Sequence, residues 1–514
     1  MKSRGADVVA RMLARGGTRY VFALSGNHVM PLFDAALDAS LEIVHVRHEA
    51  ATVHMADAWG RLTGEPGIAL VTGGPGHANA VGALYTALAA ESPLVLLSGH
   101  APLEEIGKGA FQEMLQAEMA APVAKASWTV RSRGALARDV AHALRIAASG
   151  TPGPVHLSLP SDLLEAEVDE ELPPQETLPE RVDAGPDRFA ALLEQLTRSS
   201  KPIVLAGPRH ARAPAALAAA RFEHATGVPV IALESPRGVN DPALGLLAEV
   251  LSAADTVVLA GKKPDFMLKF GAVFSPACRV IEADAAFSAW AAAASRCSWR
   301  RSGWHGDVRE ALAWRPPQWA SVESAPDGPV HPIEVGRAVQ KLLDAPDSVL
   351  VADGGEFGQW AQATLAAPHR IINGPAGSIG AALPFAAAAK LARPASTVVA
   401  MLGDGTFGFH PAELDTAARQ SLAYVAVIGN DACWNAERQI QVRTYGAMRA
   451  RGCELLPTRY DRVAEGFGAH GEHVTRVSAL APALERAKAA GRVACVNVAI
   501  ESVAAPVYRS ARPG

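Results

Sequence analysis

Two carboxylates, Glu49 and Asp404, stand where a strand-like run gives way to a glycine turn or a helix, a setting in which an acidic side chain can meet a ligand. Asp404 lies in Gly403-Asp404-Gly405, directly after the apolar run 397–402, and a second buried-strand candidate, 424–428, ends at Gly429-Asn430-Asp431. Helical spacing over 411–419 links the two, so Asp404 and Asn430 are expected side by side at the carboxyl edge of a parallel sheet, where open α/β sheets bind ligands. One carboxylate and one amide oxygen, completed by water and phosphate oxygens, suit Mg²⁺. The same residue types also build ordinary turns, and the residues alone leave both readings open. Glu49, between the run 42–45 and an alanine-rich helix, likewise fits a plain helix-N-terminal carboxylate favoured by the macrodipole.

Two further glycine turns follow strand candidates and precede helices: Thr72-Gly73-Gly74-Pro75-Gly76, and Gly374-Pro375-Ala376-Gly377-Ser378-Ile379-Gly380. Glycine there lets backbone approach a ligand closely. Neither has the spacing of a dinucleotide fingerprint, and no Walker lysine follows. His48, His54 and His77 lie near these turns without paired ligand spacing and read as structural.

Taken in order, Arg47-His48-Glu49-Ala50-Ala51, the Gly73–Gly76 turn, the Gly374–Gly380 loop and Gly403-Asp404-Gly405 through Asn430 resemble the thiamine-diphosphate-dependent decarboxylase and carboligase superfamily. The likeness runs over essentially the whole chain and is nearest in flavour to acetolactate synthase, benzaldehyde lyase and the oxalyl-CoA decarboxylase/2-hydroxyacyl-CoA lyase group. It implies thiamine diphosphate and Mg²⁺ as cofactors, with Asp404, Asn430 and the carbonyl of Ala432 as metal ligands. Gly74, Pro75, Gly377, Gly403 and Gly405 would approach the cofactor, Ile379 would wedge it into a bent shape, and Glu49 would hydrogen-bond its aminopyrimidine. A buried carboxylate of raised pKa in that place favours the imino tautomer, which activates the thiazolium carbon.

On the substrate side the resemblance singles out Gln112, in Phe111-Gln112-Glu113, and His28, an imidazole able to move protons near neutral pH. Trp434-Asn435-Ala436-Glu437 departs from the acetolactate synthase pattern. The implied activity is decarboxylation of a 2-oxo acid with acyl transfer, the alternatives being lyase chemistry on a 2-hydroxyacyl-CoA, an oxalyl-CoA-like thioester or a 2-hydroxy ketone, or a non-catalytic cofactor-binding paralogue. Such enzymes build each site from two subunits, so a homodimer or homotetramer is implied.

The elements that must position these residues alternate. Helices at 6–15, 30–37, 50–62 and 79–90 interleave with strands at 20–24, 42–45, 67–72, 94–98 and 155–158, which argues a parallel sheet covered on both faces. A second α/β unit has strands at 202–206, 228–233, 256–259 and 279–281; a third has strands at 348–351, 397–402, 424–428 and 493–499. A stretch at 165–188 rich in Glu, Pro and Asp reads as an exposed linker, and a proline-rich stretch at 314–332 as a second linker. The expected architecture is therefore α/β, three doubly wound parallel-sheet domains: a pyrimidine-binding domain over 1–165, a central Rossmann-like domain over 186–315 and a diphosphate- and Mg-binding domain over 330–514. Lys262-Lys263, at a strand end of the central unit where relatives bind FAD, ADP or CoA, has no glycine fingerprint beside it.

With 48 Lys+Arg against 52 Asp+Glu, the chain offers no electrostatic case for nucleic acid or an acidic membrane as partner. Its five cysteines are scattered with no C-x-x-C pair, which argues against a disulfide framework or zinc site and for a reducing cytoplasm. No apolar run is long enough to span a bilayer, and the N-terminus lacks a signal peptide's apolar core.

Overall fold

Apolar runs four to seven residues long become buried parallel strands, and the alanine-rich segments between them become the helices that cover both faces. The computed structural model describes residues 3–168, 187–299 and 302–508; most of the expected 165–188 linker lies outside the described residues. The first sheet comprises β1 (Tyr20–Ala23), β2 (Glu42–His45), β3 (Gly67–Val71), β4 (Leu94–His100), β5 (Ala126–Thr129) and β6 (Pro154–Pro160), in the order β2-β1-β3-β4-β6-β5. A four-stranded sheet follows, with β7 (Pro202–Ala206), β8 (Val230–Ala232), β9 (Thr256–Ala260) and β10 (Arg279–Ala283) ordered β8-β7-β9-β10. The last contains β11 (Val349–Ala352), β12 (His369–Ile372), β13 (Val398–Gly403), β14 (Val425–Asn430), β15 (His470–Val474) and β16 (Ala494–Ala499), ordered β12-β11-β13-β14-β16-β15. Every pairing within these three sheets is parallel.

The first and last sheets thus share one strand order, with β1 to β6 corresponding to β11 to β16. Within these three sheets, three strands escape the sequence reading, and all are edge strands: β5, β12 and β15; a short antiparallel pair, Ser3–Arg4 with Glu167–Val168, escapes it as well. An edge strand is covered on fewer sides, so β15 reads His-Gly-Glu-His-Val and shows no continuous apolar run.

Small residues weld the outer units. The helix Glu49–Thr63 packs on Ala382–Ala392, and Ala51, Ala56, Phe385, Ala386 and Ala389 share one buried core with the inner faces of both sheets. Beside this contact Arg61 makes a paired hydrogen bond to Asp57 at 2.7 and 2.5 Å and donates to the Ile372 carbonyl at 2.6 Å. Both side chains are buried, so the pair ties the first unit to the end of β12 and hence to the loop bearing Ile379. Among the described residues no helix is long and apolar enough to cross a membrane, and all five cysteines are free.

Candidate functional site

The carboxyl ends of the first and last sheets carry almost all the residues singled out above, in two separate groups. At the first sheet, β3 runs into Thr72 and then Gly74, whose φ of 58° and ψ of −116° only glycine tolerates easily. A Cβ on Gly76 would stand 3.4 Å from Glu49 Oε1, and one on Gly74 would strike the Gln112 carbonyl oxygen at 2.4 Å. Glu49 is half-buried at its helix N-terminus, and Asn79 Nδ2 donates to its Oε2 at 3.1 Å. His28 Nδ1 meets Thr72 Oγ1 at 3.1 Å, and its ring stacks on Phe111 with centroids 6.2 Å apart. Burial, then the neighbouring His100, push the His28 imidazole below its usual pKa, so it is neutral at pH 7. His28, Glu49, Gly74, Pro75 and Gln112 therefore share one edge.

Two residues that sequence reasoning did not mark hold this edge in shape. Gln116, 1% exposed, accepts from Gly74 N at 2.7 Å and donates to Gly99 O and Ser158 Oγ at 3.0 Å each. Glu113 closes the Phe111–Gln112 turn by accepting from the backbone N–H groups of Gly107, Gly109 and Ala110. Gln112 itself sits at φ 57°. Nothing local marks Gln116, since its partners are tens of residues away in sequence.

At the last sheet a cleft of about 200 Å³ is lined by Gly377, Ile379, Gly403, Asp404 and Gly405, with Asp431, Cys433 and Trp434 opposite and Ser235, Pro236 and Arg237 from the central unit. Asp404, buried at the end of β13, accepts from Gly405 N at 2.9 Å and Cys433 N at 3.2 Å. Burial foremost, with Asp431 adding repulsion, pushes its carboxyl up to about 7. Asn430 and Ala432 do not line the cleft. Asn430 is the last residue of β14, its Nδ2 donates to Thr458 O and Asn497 Oδ1, and its Oδ1 accepts from Ala432 N. Because successive side chains of an extended segment face opposite ways, Asp431 takes the cleft side, and Ala432 at φ 53° turns the chain so that Cys433 follows it there.

A buried carboxylate that the sequence reading passed over, Asp353 at the end of β11, shapes the Ile379 loop. It accepts from the backbone N–H groups of Gly354, Gly380 and Ala382. Burial still pushes it up to about 6. Its run, Val-Leu-Val-Ala-Asp-Gly-Gly, has the same strand-then-Asp-Gly form as the Asp404 turn, which was the available signal. A Cβ on Gly354 would lie 2.5 Å from Ile379 Cγ2, so glycine there makes the room Ile379 occupies.

The donor set suits a divalent cation carrying a diphosphate: Asp404 and Asp431 supply hard oxygens, and the flanking glycines leave space beside them. Among the described residues no cluster of three His, Cys, Asp or Glu side chains could hold a metal alone, so other oxygens must complete the shell. In the central unit the Lys262 side chain is buried and pairs with Asp265 at 2.7 Å. The helix Asn435–Tyr445 begins at the cleft, which Asn435, Ala436 and Glu437 line, and then runs out to solvent.

Comparison with known proteins places two segments of the chain. Residues 3–119 match the thiamine pyrophosphate enzyme N-terminal TPP-binding domain, and residues 353–498 match the C-terminal TPP-binding domain. The chain is 34% identical over 537 residues to the acetolactate synthase large subunit IlvG of Mycobacterium tuberculosis, covering 97% of this chain and 96% of that one. It is 32% identical over 547 residues to 2-hydroxyacyl-CoA lyase 2 of Danio rerio, covering 92% and 87%. The human protein of the same name is 30% identical over 545 residues, covering 92% and 85%.

Proposed function

The chain belongs to the thiamine pyrophosphate enzymes, and from that membership and its likeness to a protein named acetolactate synthase we propose that it decarboxylates a 2-oxo acid and passes the acyl unit to an aldehyde or second oxo acid. The Glu49 carboxylate beside the Gly73–Gly76 turn carries the catalytic part of this reading, because a binding-only paralogue has no need of it. When bound, thiamine diphosphate would supply a carbon nucleophile and an electron sink for bond making and breaking next to a carbonyl. Gly403, Gly405, Asp404, Asp431 and the Cys433 backbone would hold its diphosphate through Mg²⁺, and Ile379 would support its bend. Among the described residues Glu49 Oε1 meets no protein donor while Oε2 accepts from Asn79, which leaves a hydrogen-bond acceptor for a ring nitrogen. His28, fixed by Thr72 and neutral at pH 7, accepts or returns a proton at Nε2, and Gln112 orients the reacting carbonyl.

Glu49 does not line the Asp404 cleft of its own chain, whose walls come from the central and last units. A complete site therefore takes the first sheet's edge from a second copy. Exposed Phe111, Leu115 and Tyr85 near one half, and Phe409, Ile440 and Tyr445 near the other, supply apolar surface for that association. Reduced cysteines and the absence of a crossing helix among the described residues fit a cytoplasmic enzyme.

One observation favours a second reading, lyase chemistry on a 2-hydroxyacyl-CoA. Exposed Arg443, Arg449 and Arg451 follow the cleft-lining start of the helix Asn435–Tyr445 and could meet a phosphorylated carrier. Incubation with thiamine diphosphate, Mg²⁺ and, in parallel, pyruvate, 2-hydroxy ketones and 2-hydroxyacyl-CoA, with products identified by mass spectrometry, separates the two. Product from 2-hydroxyacyl-CoA alone would overturn the first. Glu49→Gln should lower turnover by about 10²- to 10⁴-fold with cofactor affinity nearly unchanged, and Asp404→Ala should abolish Mg²⁺-dependent cofactor binding. Unchanged turnover in the first variant or unchanged affinity in the second would sink the respective assignment.

A further inference from the structure

The cleft holds a carboxyl that the proton transfers proposed so far leave unused. Glu356 lines it from the first turn of the helix Gly355–Thr364, with its side chain 10% exposed. Its Oε2 accepts from the Ala505 backbone N–H at 2.8 Å and lies 3.9 Å from the Arg237 guanidinium, beyond hydrogen-bond length. Among the described residues Oε1 has no hydrogen-bond partner, so one oxygen is fixed and the other is left for a substrate. Burial foremost raises the carboxyl above its ordinary value and Glu437 adds repulsion, while the Ala505 N–H, Arg237 and Arg443 oppose the shift. A carboxyl raised in this way at the wall of a cleft has the protonation behaviour of a general acid.

Asp353 fastens this carboxyl to the Ile379 end of the cleft. It accepts from Gly354 N at 2.7 Å, at the entrance to the Glu356 helix, and from Gly380 N at 3.0 Å, at the exit of the Ile379 loop. A Cβ on Gly354 would stand 2.5 Å from Ile379 Cγ2, so Glu356 comes two residues after the backbone that Ile379 packs against. Glu437 and Glu501 also line the cleft, but on segments that Asp353 does not anchor. Under the proposed function Ile379 supports the bend of the cofactor, which puts Glu356 at the carbon-bonding end of the cleft and away from the diphosphate turn.

We propose that Glu356 is a catalytic residue of the acyl transfer, the acid that protonates the carbonyl oxygen of the acceptor. As the acceptor carbon gains its new C–C bond, the C=O π pair takes the proton from Oε1 and leaves Glu356 as carboxylate. The carboxylate recovers a proton from the acyl unit's own hydroxyl when that oxygen becomes a carbonyl and the product leaves. Glu356 thus ends the transfer in the state in which it began. This role rests on the cofactor reading above and supplies the proton donor for its second half.

The test compares Glu356→Gln and Glu356→Asp with wild type, as full-length protein loaded with thiamine diphosphate and Mg²⁺, on the substrates identified by the incubations above. Turnover is followed across about pH 5 to 9, and cofactor affinity is read by calorimetry. Glu356→Gln keeps an acceptor for the Ala505 N–H, so the segment behind it stays in place. It should lower kcat by about 10²- to 10³-fold with cofactor affinity unchanged. The alkaline limb of the kcat profile, where wild type loses the proton it must donate, should vanish in Glu356→Gln and persist at a lower rate in Glu356→Asp. In a single turnover carbon dioxide release should stay near the wild-type rate while ligated product falls. Wild-type turnover in Glu356→Gln, an alkaline limb that it retains, an equal loss of both products, or a loss traced to weakened cofactor binding would overturn the role. Glu49→Gln run alongside reads the cofactor assignment separately: unchanged turnover there overturns that reading, and the role of Glu356 with it.

Discussion

Replacing Gln116 by leucine should damage the first sheet's edge without touching a residue that meets substrate. The side chain is buried, so its removal strands two backbone groups that have no route to water: the Gly74 N–H, 2.7 Å from Oε1, and the Gly99 carbonyl, 3.0 Å from Nε2. The third partner, Ser158, retains His156 at 3.4 Å. Each stranded group costs about 1–3 kcal/mol, which puts the total at about 2–6 kcal/mol if the fold stays rigid. Gly74 is held at an unusual backbone angle, so the loop can instead relax and pass part of that cost to cofactor binding; about 2 kcal/mol there weakens affinity about thirty-fold. Urea unfolding and calorimetric titration of thiamine diphosphate at saturating Mg²⁺ together capture both routes. Gln116→Glu keeps the acceptor for Gly74 and loses the donor to Gly99, so its cofactor affinity should lie between wild type and the leucine variant. Wild-type stability together with wild-type affinity in Gln116→Leu would refute the reasoning.

Arg61→Met should lower stability by about 3–5 kcal/mol, because it leaves the Asp57 carboxylate buried and unpaired; adding Asp57→Leu should restore most of the loss in urea unfolding, and a single variant within about 1 kcal/mol of wild type would contradict this. Asp353 sets a pH dependence of unusual sign. Its native carboxyl is raised to about 6, so between about pH 4 and 6 the folded chain holds a proton that the unfolded chain has released. Its contribution is fully present below about pH 4 and falls by about 3 kcal/mol as pH rises through 6. Urea midpoints for wild type and Asp353→Asn across that range should converge or diverge with this slope, and parallel profiles would exclude it.

Much of this molecule is written in local pattern. Buried central strands announce themselves as apolar runs bounded by glycine, so β13 and the Asp404 turn at its end were legible. Of the edge strands, β2, β8 and β10 were legible, but β5, β12 and β15 were not, since an edge strand needs no apolar stretch to hold its place. At the end of β14 the sequence supplies Asn430 and Asp431 in succession, and a period of two makes the choice between them a matter of which side faces the cleft. That depends on where Thr458 and Asn497 lie, and no local spacing encodes it. Gln116 is invisible for a related reason: it owes its position to backbone groups brought near by folding, whereas Asp353 carried a signal in its strand-then-Asp-Gly run.

Glu49 and Asp404 sit in different places on one chain, and under the proposed pairing each chain lends its glutamate to one site and its aspartate to the other. Genetic defects then follow a cis–trans rule. A dimer in which one chain lacks Glu49 and its partner lacks Asp404 retains one intact site, while the same two defects gathered on a single chain leave none, even beside a wild-type partner.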